Sequence, residues 1–244
     1  MFNKLTRVIA LLAMILFATQ ANAVTYTGPK MDLSKYQPEF RVGFLGDEAA
    51  QDIIARNDCF MPYIEAAYGV PAKFFTFKDY AGTMESMLGG NLDYTWFGSS
   101  GYAGMYLKDP TAVVPVLTRM QPTGDMGYYS VAVATKASGI KSMADLKGKS
   151  FGWADPNSTS GFLIPSIELK AMGMDPDTYF SKTQFSGGHE NNVLALMNGD
   201  VDAAVTWVSG VGSWEEGYSS GNLRKMVDKG ILNMDDIVQI WSSK

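Results

Sequence analysis

A single cysteine and a single histidine exclude intrachain disulfides and the usual Cys/His metal sites, which draw on several such ligands. No Lys/Arg cluster or stripe occurs, and 20 basic residues stand against 25 acidic ones, a net charge of −5, so no nucleic-acid partner is expected. There is no Walker A run and no G-x-G-x-x-G, which removes two nucleotide-binding motifs. Beyond the N-terminus no apolar run is long enough to span a bilayer. Low-complexity tracts and long linkers are missing too. What remains is an ordinary globular composition over 244 residues, with 46% hydrophobic, 18% charged and 12% aromatic side chains. That length suits one large domain or two small ones around a real core. Neither a metal nor a cofactor is expected.

Met1 to Ala23 reads as a cleaved secretory signal. Lys4 and Arg7 form the positive region, Val8 to Ala18 the apolar one, and Ala21-Asn22-Ala23 a small-x-small cleavage site. The alternative is an uncleaved anchor helix. No cysteine follows the cleavage point to carry a lipid. The mature protein is therefore expected to be soluble in an exported, oxidising compartment. Cys59, among Phe60, Met61 and Ile64, is expected to be a buried, inert thiol.

Strands and helices alternate along the rest. Strands are expected at Arg41–Gly46, Lys73–Phe77, Tyr94–Gly98, Val113–Met120, Tyr128–Thr135, Ser150–Ala154, Thr183–Phe185 and Ala203–Val208. Helices are expected at Glu48–Tyr68, from an Asp79 cap to Leu88, after Ser99-Ser100, at Ala144–Leu146, Ser158–Met172 and Glu190–Asn198. The alternation predicts α/β layers with largely parallel sheets. One internal echo stands out: Leu88-Gly89-Gly90-Asn91-Leu92-Asp93 leads to Thr95-Trp96, as Met197-Asn198-Gly199-Asp200-Val201-Asp202 leads to Thr206-Trp207. Either any helix–Gly–strand junction looks like this, or two lobes share one plan, with the crossing near Val131–Lys136.

Most candidate chemistry fails on inspection. Gly217-Tyr218-Ser219-Ser220-Gly221 matches G-x-S-x-G, but the polar Trp214-Glu215-Glu216 precedes it where a nucleophile elbow needs an apolar strand. The pairs Asp235-Asp236 and Glu215-Glu216 are sequence neighbours whose side chains diverge, so they read as solvated or capping residues. The informative stretch is Asp155-Pro156-Asn157-Ser158-Thr159-Ser160-Gly161, where a strand ends and three hydroxyls open a helix. Free amides and partial positive charge at that turn suit a tetrahedral oxyanion, and the hydroxyls add rotatable donors. Ser158 capping its own helix is the plainer reading, yet it leaves Thr159 and Ser160 unexplained. His189 lies at another strand–Gly–helix junction, at a strand's C-terminal end where open α/β sheets bind ligands. Tyr80 and Tyr128 offer either core aromatics or phenol donors with a flat wall.

Taken in order, Asp79-Tyr80-Ala81-Gly82, Asp93-x-x-Trp96-Phe97-Gly98, Gly127-Tyr128-Tyr129-Ser130, the Asp155–Gly161 run, His189-Glu190 and Val201-Asp202 resemble the periplasmic binding proteins of phosphate, phosphite and phosphonate ABC transporters (the PhnD-type family). The resemblance covers about Arg41 to Trp241. It implies a two-lobed type II periplasmic-binding-protein clamshell, each lobe a mixed, mostly parallel sheet flanked by helices, with lobe 1 at 24–132 and lobe 2 at 133–244. It further implies that Ser158, Thr159 and Ser160 hold the anion with the helix amides, and that Tyr80, Tyr128 and His189 complete the cage. A periplasmic, non-catalytic monomer would then deliver a small phosphorus oxyanion to a membrane permease. Two departures stand out. Family members that take aminoalkyl ligands carry a carboxylate in the turn after the Val-Asp pair, where Val205–Gly210 has none and Ser209 stands in its place. With Trp207 alongside, this favours phosphate, phosphite or a simple alkylphosphonate. The chain also stops at Lys244, before the return crossing the resemblance implies, so a partial chain lacking the second hinge crossing is expected. The rivals are an exported Ser/His hydrolase or phosphoesterase using Ser158 or Ser219 with His189, and a sensor module for a signalling partner.

Overall fold

The computed structural model describes residues 25–244; the expected signal at 1–23 lies outside them. The chain forms two sheets. The first has the order β2-β1-β3, with β1 (Phe40–Phe44) between β2 (Ala72–Thr76) and β3 (Tyr94–Thr95), all parallel. The second has the order β6-β5-β7-β4-β8, from β4 (Tyr129–Thr135), β5 (Ser150–Trp153), β6 (Lys182–Phe185), β7 (Ala203–Val208) and β8 (Ile237–Ser242). Here β5 runs parallel to β6 and β7, while β4 runs antiparallel to β7 and β8. The helices are α1 (Ala50–Asn57), α2 (Phe60–Tyr68), α3 (Tyr80–Leu88), α4 (Ser99–Lys108), α5 (Ile164–Ala171), α6 (Pro176–Tyr179), α7 (His189–Met197) and α8 (Asn222–Asp228). This is the expected α/β architecture. Among the described residues no helix is long and apolar enough to cross a membrane.

The internal echo is structural. Asp93 accepts the Arg41 amide at 2.7 Å and donates its own amide to the Arg41 carbonyl at 2.8 Å. Asp202 does the same to Ser150, at 2.8 Å and 3.2 Å. In each case the Asp just before one parallel strand, β3 or β7, therefore clamps the start of its neighbour, β1 or β5, satisfying an amide the ladder leaves open. Arg41 adds a guanidinium bond to Asp93 at 2.8 Å, and Ser150 adds its hydroxyl to Asp202 at 2.7 Å.

The five-stranded sheet buries both faces, as the two-residue period of a strand requires. Val131 and Val133 face a cluster with Val193, Leu196, Leu223 and Met226, while Ala132 and Ala134 face one with Leu146, Phe151, Trp153 and Leu169. Asn192, fully buried on α7, ties the layers together by donating to the Gly152 and Val205 carbonyls, each at 2.9 Å. A side chain at Gly152 would sit 2.3 Å from Asn192 Oδ1, so only glycine permits this approach.

Four local expectations need correction. The helix read at Glu48–Tyr68 is two helices, broken at Asp58-Cys59. Pro62 has no N–H to give the Asp58 carbonyl, so it opens a new helix instead of continuing the old one. Cys59 falls on that break and is exposed, not buried. Val113–Met120 forms no strand among the described residues. It has β-prone side chains but no ladder partner, and propensity without a neighbour does not make a sheet. The helix read from Ser158 starts as a π-turn over Thr159–Leu163. Pro165 lacks the N–H that an α-helix would aim at the Gly161 carbonyl, which accepts from the Ala154 amide instead, at 3.1 Å.

Candidate functional site

Both sheets present the C-terminal ends of their parallel strands to one cavity of about 580 Å³. All six predicted side chains line it: Tyr80, Tyr128, Ser158, Thr159, Ser160 and His189. Tyr80 follows β2, held by Asp79, whose side chain caps α3 by accepting from the Gly82 amide at 2.9 Å. Tyr128 leads into β4, the hydroxyl residues follow β5, and His189 follows β6.

Ser158 does cap its own helix, its Oγ accepting from the Gly161 amide at 2.9 Å. The same oxygen lies 3.1 Å from His189 Nε2. His189 is buried, and Thr206 Oγ1 stands 3.4 Å from its Nδ1. Burial pushes the imidazole below its ordinary value, helped by Lys225 and opposed by Asp47, so at neutral pH the ring is uncharged. Thr159 faces the other sheet's helices, its Oγ1 accepting from the Ser100 amide at 2.8 Å. A side chain at Gly98 would lie 2.5 Å from that hydroxyl, so glycine lets the two segments meet. Ser160 is buried, and its carbonyl accepts from the Ser130 hydroxyl at 2.6 Å.

The tyrosines close the ring. Burial raises the Tyr80 phenol well above its usual value, and the Asp47 charge adds to this. Tyr80 stays a neutral donor, giving its proton to Asp47 Oδ1 at 3.1 Å, with Ser158 within reach. Tyr128 is 42% exposed, but the desolvation of its inward-turned hydroxyl, which reaches Thr159 and Ser160, also raises its phenol. Its ring meets Trp207 edge-on, 5.5 Å between centroids. Asp155 turns inward to receive the Asn157 amide at 2.7 Å and the Tyr80 amide at 3.4 Å. Its burial raises the carboxyl above the ordinary range against those two bonds.

Three participants escaped the sequence reading: Asp47, Thr206 and the Ser100 amide. Asp47 was findable, because Gly46-Asp47-Glu48 ends β1 just as Gly187-Gly188-His189 ends β6. Thr206 was findable from strand period, since it shares a face with Ala204 and Val208 against α7. The Ser100 amide, a backbone group without side-chain chemistry, left no sequence signal.

Among the described residues the cavity holds no complete Ser-His-carboxylate triad. Ser158 and His189 make a pair, but the far imidazole nitrogen meets a threonine and no carboxylate, so the group that holds a catalytic base in place is missing. Ser219 follows a 3₁₀ turn (Trp214–Glu216) and bonds Ser209 Oγ at 3.1 Å, which leaves no elbow.

Comparison with known proteins agrees. The family model for "ABC transporter, phosphonate, periplasmic substrate-binding protein" matches residues 42–244. The chain is 31% identical over 205 residues to the phosphate-import protein PhnD of Mycolicibacterium smegmatis, covering 80% of this chain and 60% of that one. It is 27% identical over 237 residues to the phosphonates-binding periplasmic protein of Escherichia coli, covering 96% and 65%. The chain thus spans less than two thirds of the length of these relatives. The crystal structure of a binding-protein component of an ABC phosphonate transporter from Pseudomonas aeruginosa superposes with a TM-score of 0.69 at 27% identity, over 85% of this chain and 65% of that one. PhnD1 of Prochlorococcus marinus, solved with methylphosphonate, shares the fold with a TM-score of 0.66 at 21% identity, over 84% and 72%. These neighbours have the two-lobed type II periplasmic-binding-protein fold, and their family is one of solute-binding transport components and not of enzymes. With two sheets, a hydroxyl-lined cavity between them and a family match over nearly all its described length, this chain belongs to the periplasmic phosphonate substrate-binding protein family of ABC transporters.

Proposed function

We propose that this chain captures a small phosphorus oxyanion, phosphonate, phosphite or phosphate, in the periplasm and delivers it to a membrane permease, acting as a monomer after removal of its signal. The observation that carries this reading is the convergence of Tyr80, Tyr128, Ser158, Thr159, Ser160 and His189 on one cavity between the sheets. In this reading the helix-start amides and hydroxyls grip the oxygens, and closure of the two lobes excludes water, which strengthens each bond. In this reading the lobes join just before β4 and not at 132/133, which is supported by the pairing of Tyr129–Ala132 within the second sheet. Trp207 and the lack of a carboxylate from Val205 to Gly210, at the end of β7 and the turn after it, favour a small or apolar substituent over an aminoalkyl one. The named relatives differ in ligand: phosphate for the M. smegmatis protein, phosphonates for the E. coli protein and phosphite for a P. marinus relative 26% identical over 172 residues.

A ligand that binds only the folded form raises its melting temperature by mass action. At a hundred times the dissociation constant the expected rise is about 5–10 °C for a chain of this size. Differential scanning fluorimetry with methylphosphonate, phosphite and phosphate at millimolar concentration measures it. No rise with any of the three would overturn the reading.

A further inference from the structure

Asp47 is out of place in a cavity built for anions. It lines the cavity at the end of β1, and its charge acts on Tyr80, Tyr128 and His189 alike. An ionised carboxylate only accepts hydrogen bonds. Tyr80 has one hydroxyl proton and gives it to Asp47, so the side chains of this corner turn lone pairs toward a guest. The groups facing Asp47 do not neutralise it. Tyr80 on α3 and Tyr128 before β4 are neutral phenols, and His189 on α7 is an uncharged imidazole. Asp155, bonded to the Tyr80 amide, adds a further carboxyl group. Of the cations that line the cavity, Arg56 and Lys225 pair with Glu48, Arg224 pairs with Asp228, and Arg119 stands over the Trp96 ring. No ion pair among the described residues includes Asp47. The donors come from the hydroxyls of Ser158, Thr159 and Ser160 and the turn they open.

An unprotonated oxyanion in such a site puts one oxygen against a carboxylate, and closure of the lobes would remove the water that screens the pair. A P–OH there makes a charge-assisted hydrogen bond instead. We propose that Asp47 is a specificity-determining acceptor: the site takes oxyanions that still carry a proton on one oxygen, donated to Asp47, and rejects sulfate and sulfonates, which carry none. This deepens the phosphorus-oxyanion reading of the same cavity and rests on it. Near neutral pH phosphate, phosphite and alkylphosphonates all have a populated form with one acidic O–H, whereas sulfate and sulfonates are fully ionised. The proposal also separates the ligands by pH. Phosphite and methylphosphonate lose their last acidic proton at their second ionisation, while phosphate keeps one well into the alkaline range.

Titration calorimetry from pH 6 to pH 9 tests this on the wild-type chain and on Asp47→Asn, whose amide supplies a donor in the same place. The wild type is expected to bind phosphate at least about a hundredfold more tightly than sulfate, and methylphosphonate in like proportion over methanesulfonate. Its affinity for methylphosphonate falls through the ligand's second ionisation, while that for phosphate does not fall with it. In Asp47→Asn, sulfate gains about tenfold or more and the methylphosphonate fall flattens. Wild-type sulfate binding within about tenfold of phosphate overturns the proposal, as does a methylphosphonate affinity that does not fall as its last proton leaves. An aminoalkylphosphonate that binds more tightly than methylphosphonate and loses that advantage in Asp47→Asn also overturns it, assigning Asp47 to an ammonium instead. If none of the phosphorus oxyanions binds, the functional reading itself falls; if they bind without this selectivity, only the role of Asp47 falls. The wild-type arms decide the matter even where the variant does not fold.

Discussion

Ser158 Oγ accepts the Gly161 amide and lies beside His189 Nε2, so the hydroxyl that starts the helix also belongs to the cavity wall. Thr159 Oγ1 likewise lines the cavity while holding the Ser100 amide of the opposite unit. Replacing both, Ser158→Ala with Thr159→Val, is expected to weaken methylphosphonate binding by at least ~2 kcal/mol, the scale of hydrogen bonds to a charged group. The loss of the cap lowers stability of the free protein by about 0.5–2 kcal/mol in addition. Calorimetry for the first and a melting curve without ligand for the second separate the two effects. An unchanged dissociation constant would remove both residues from the binding role. These positions were legible because three adjacent hydroxyls exceed what one cap needs. The position of Asp47 was findable but its role was not, because a carboxylate beside an expected anion site contradicts the simplest electrostatic expectation until the Tyr80 bond is seen.

Glu48, in the turn between β1 and α1, is the hub that links the first unit to α8 of the second. Its carboxylate receives Lys225 of α8 at 2.8 Å, Lys229 just beyond that helix at 3.3 Å, and Arg56 from α1. Lys229 also reaches Asp52 at 2.7 Å and Glu190 at 2.6 Å. Burial alone would raise the Glu48 carboxyl, but Arg56 and Lys225 outweigh it and hold the group down at about 2, below the ordinary glutamate value of 4.5. A carboxyl depressed on folding contributes stability that is full above its unfolded value and is lost as pH falls toward the folded one. The melting temperature is therefore expected to drop between about pH 5 and pH 2, and Glu48→Gln is expected to flatten part of that drop. A pH profile identical in the variant would remove Glu48 from this linkage. At this scale the sequence was legible where a pattern is local, as in the Asp79 cap. It misled where a proline sits just inside a helix start, as at Pro62 and Pro165, and where a β-prone segment lacks a neighbour, as at Val113–Met120.

At the scale of the whole molecule, the order β2-β1-β3 recurs as β6-β5-β7. One α/β plan thus appears twice; the echo of Asp93 and Asp202 hinted at it in the sequence but left a generic helix–Gly–strand junction equally open. What the sequence did not show is how the halves meet, because the bonds between them run through the Ser100 amide and through residues far apart in the chain, such as Glu48 and Lys225. The meeting place has an optical consequence. Two of the five tryptophans, Trp96 and Trp207, wall the cavity. Arg119 lies 5.4 Å from the centre of one ring and Lys225 lies 5.6 Å from the other. An arriving anion competes with those rings for the same positive charge. Intrinsic emission should thus shift on titration with methylphosphonate, and Trp207→Phe should remove much of the shift. Unmoved emission at a ligand concentration that calorimetry shows to be saturating would contradict this. The two indoles give the protein its own unlabelled reporter of occupancy, suited to stopped-flow measurement of how fast cargo enters and leaves.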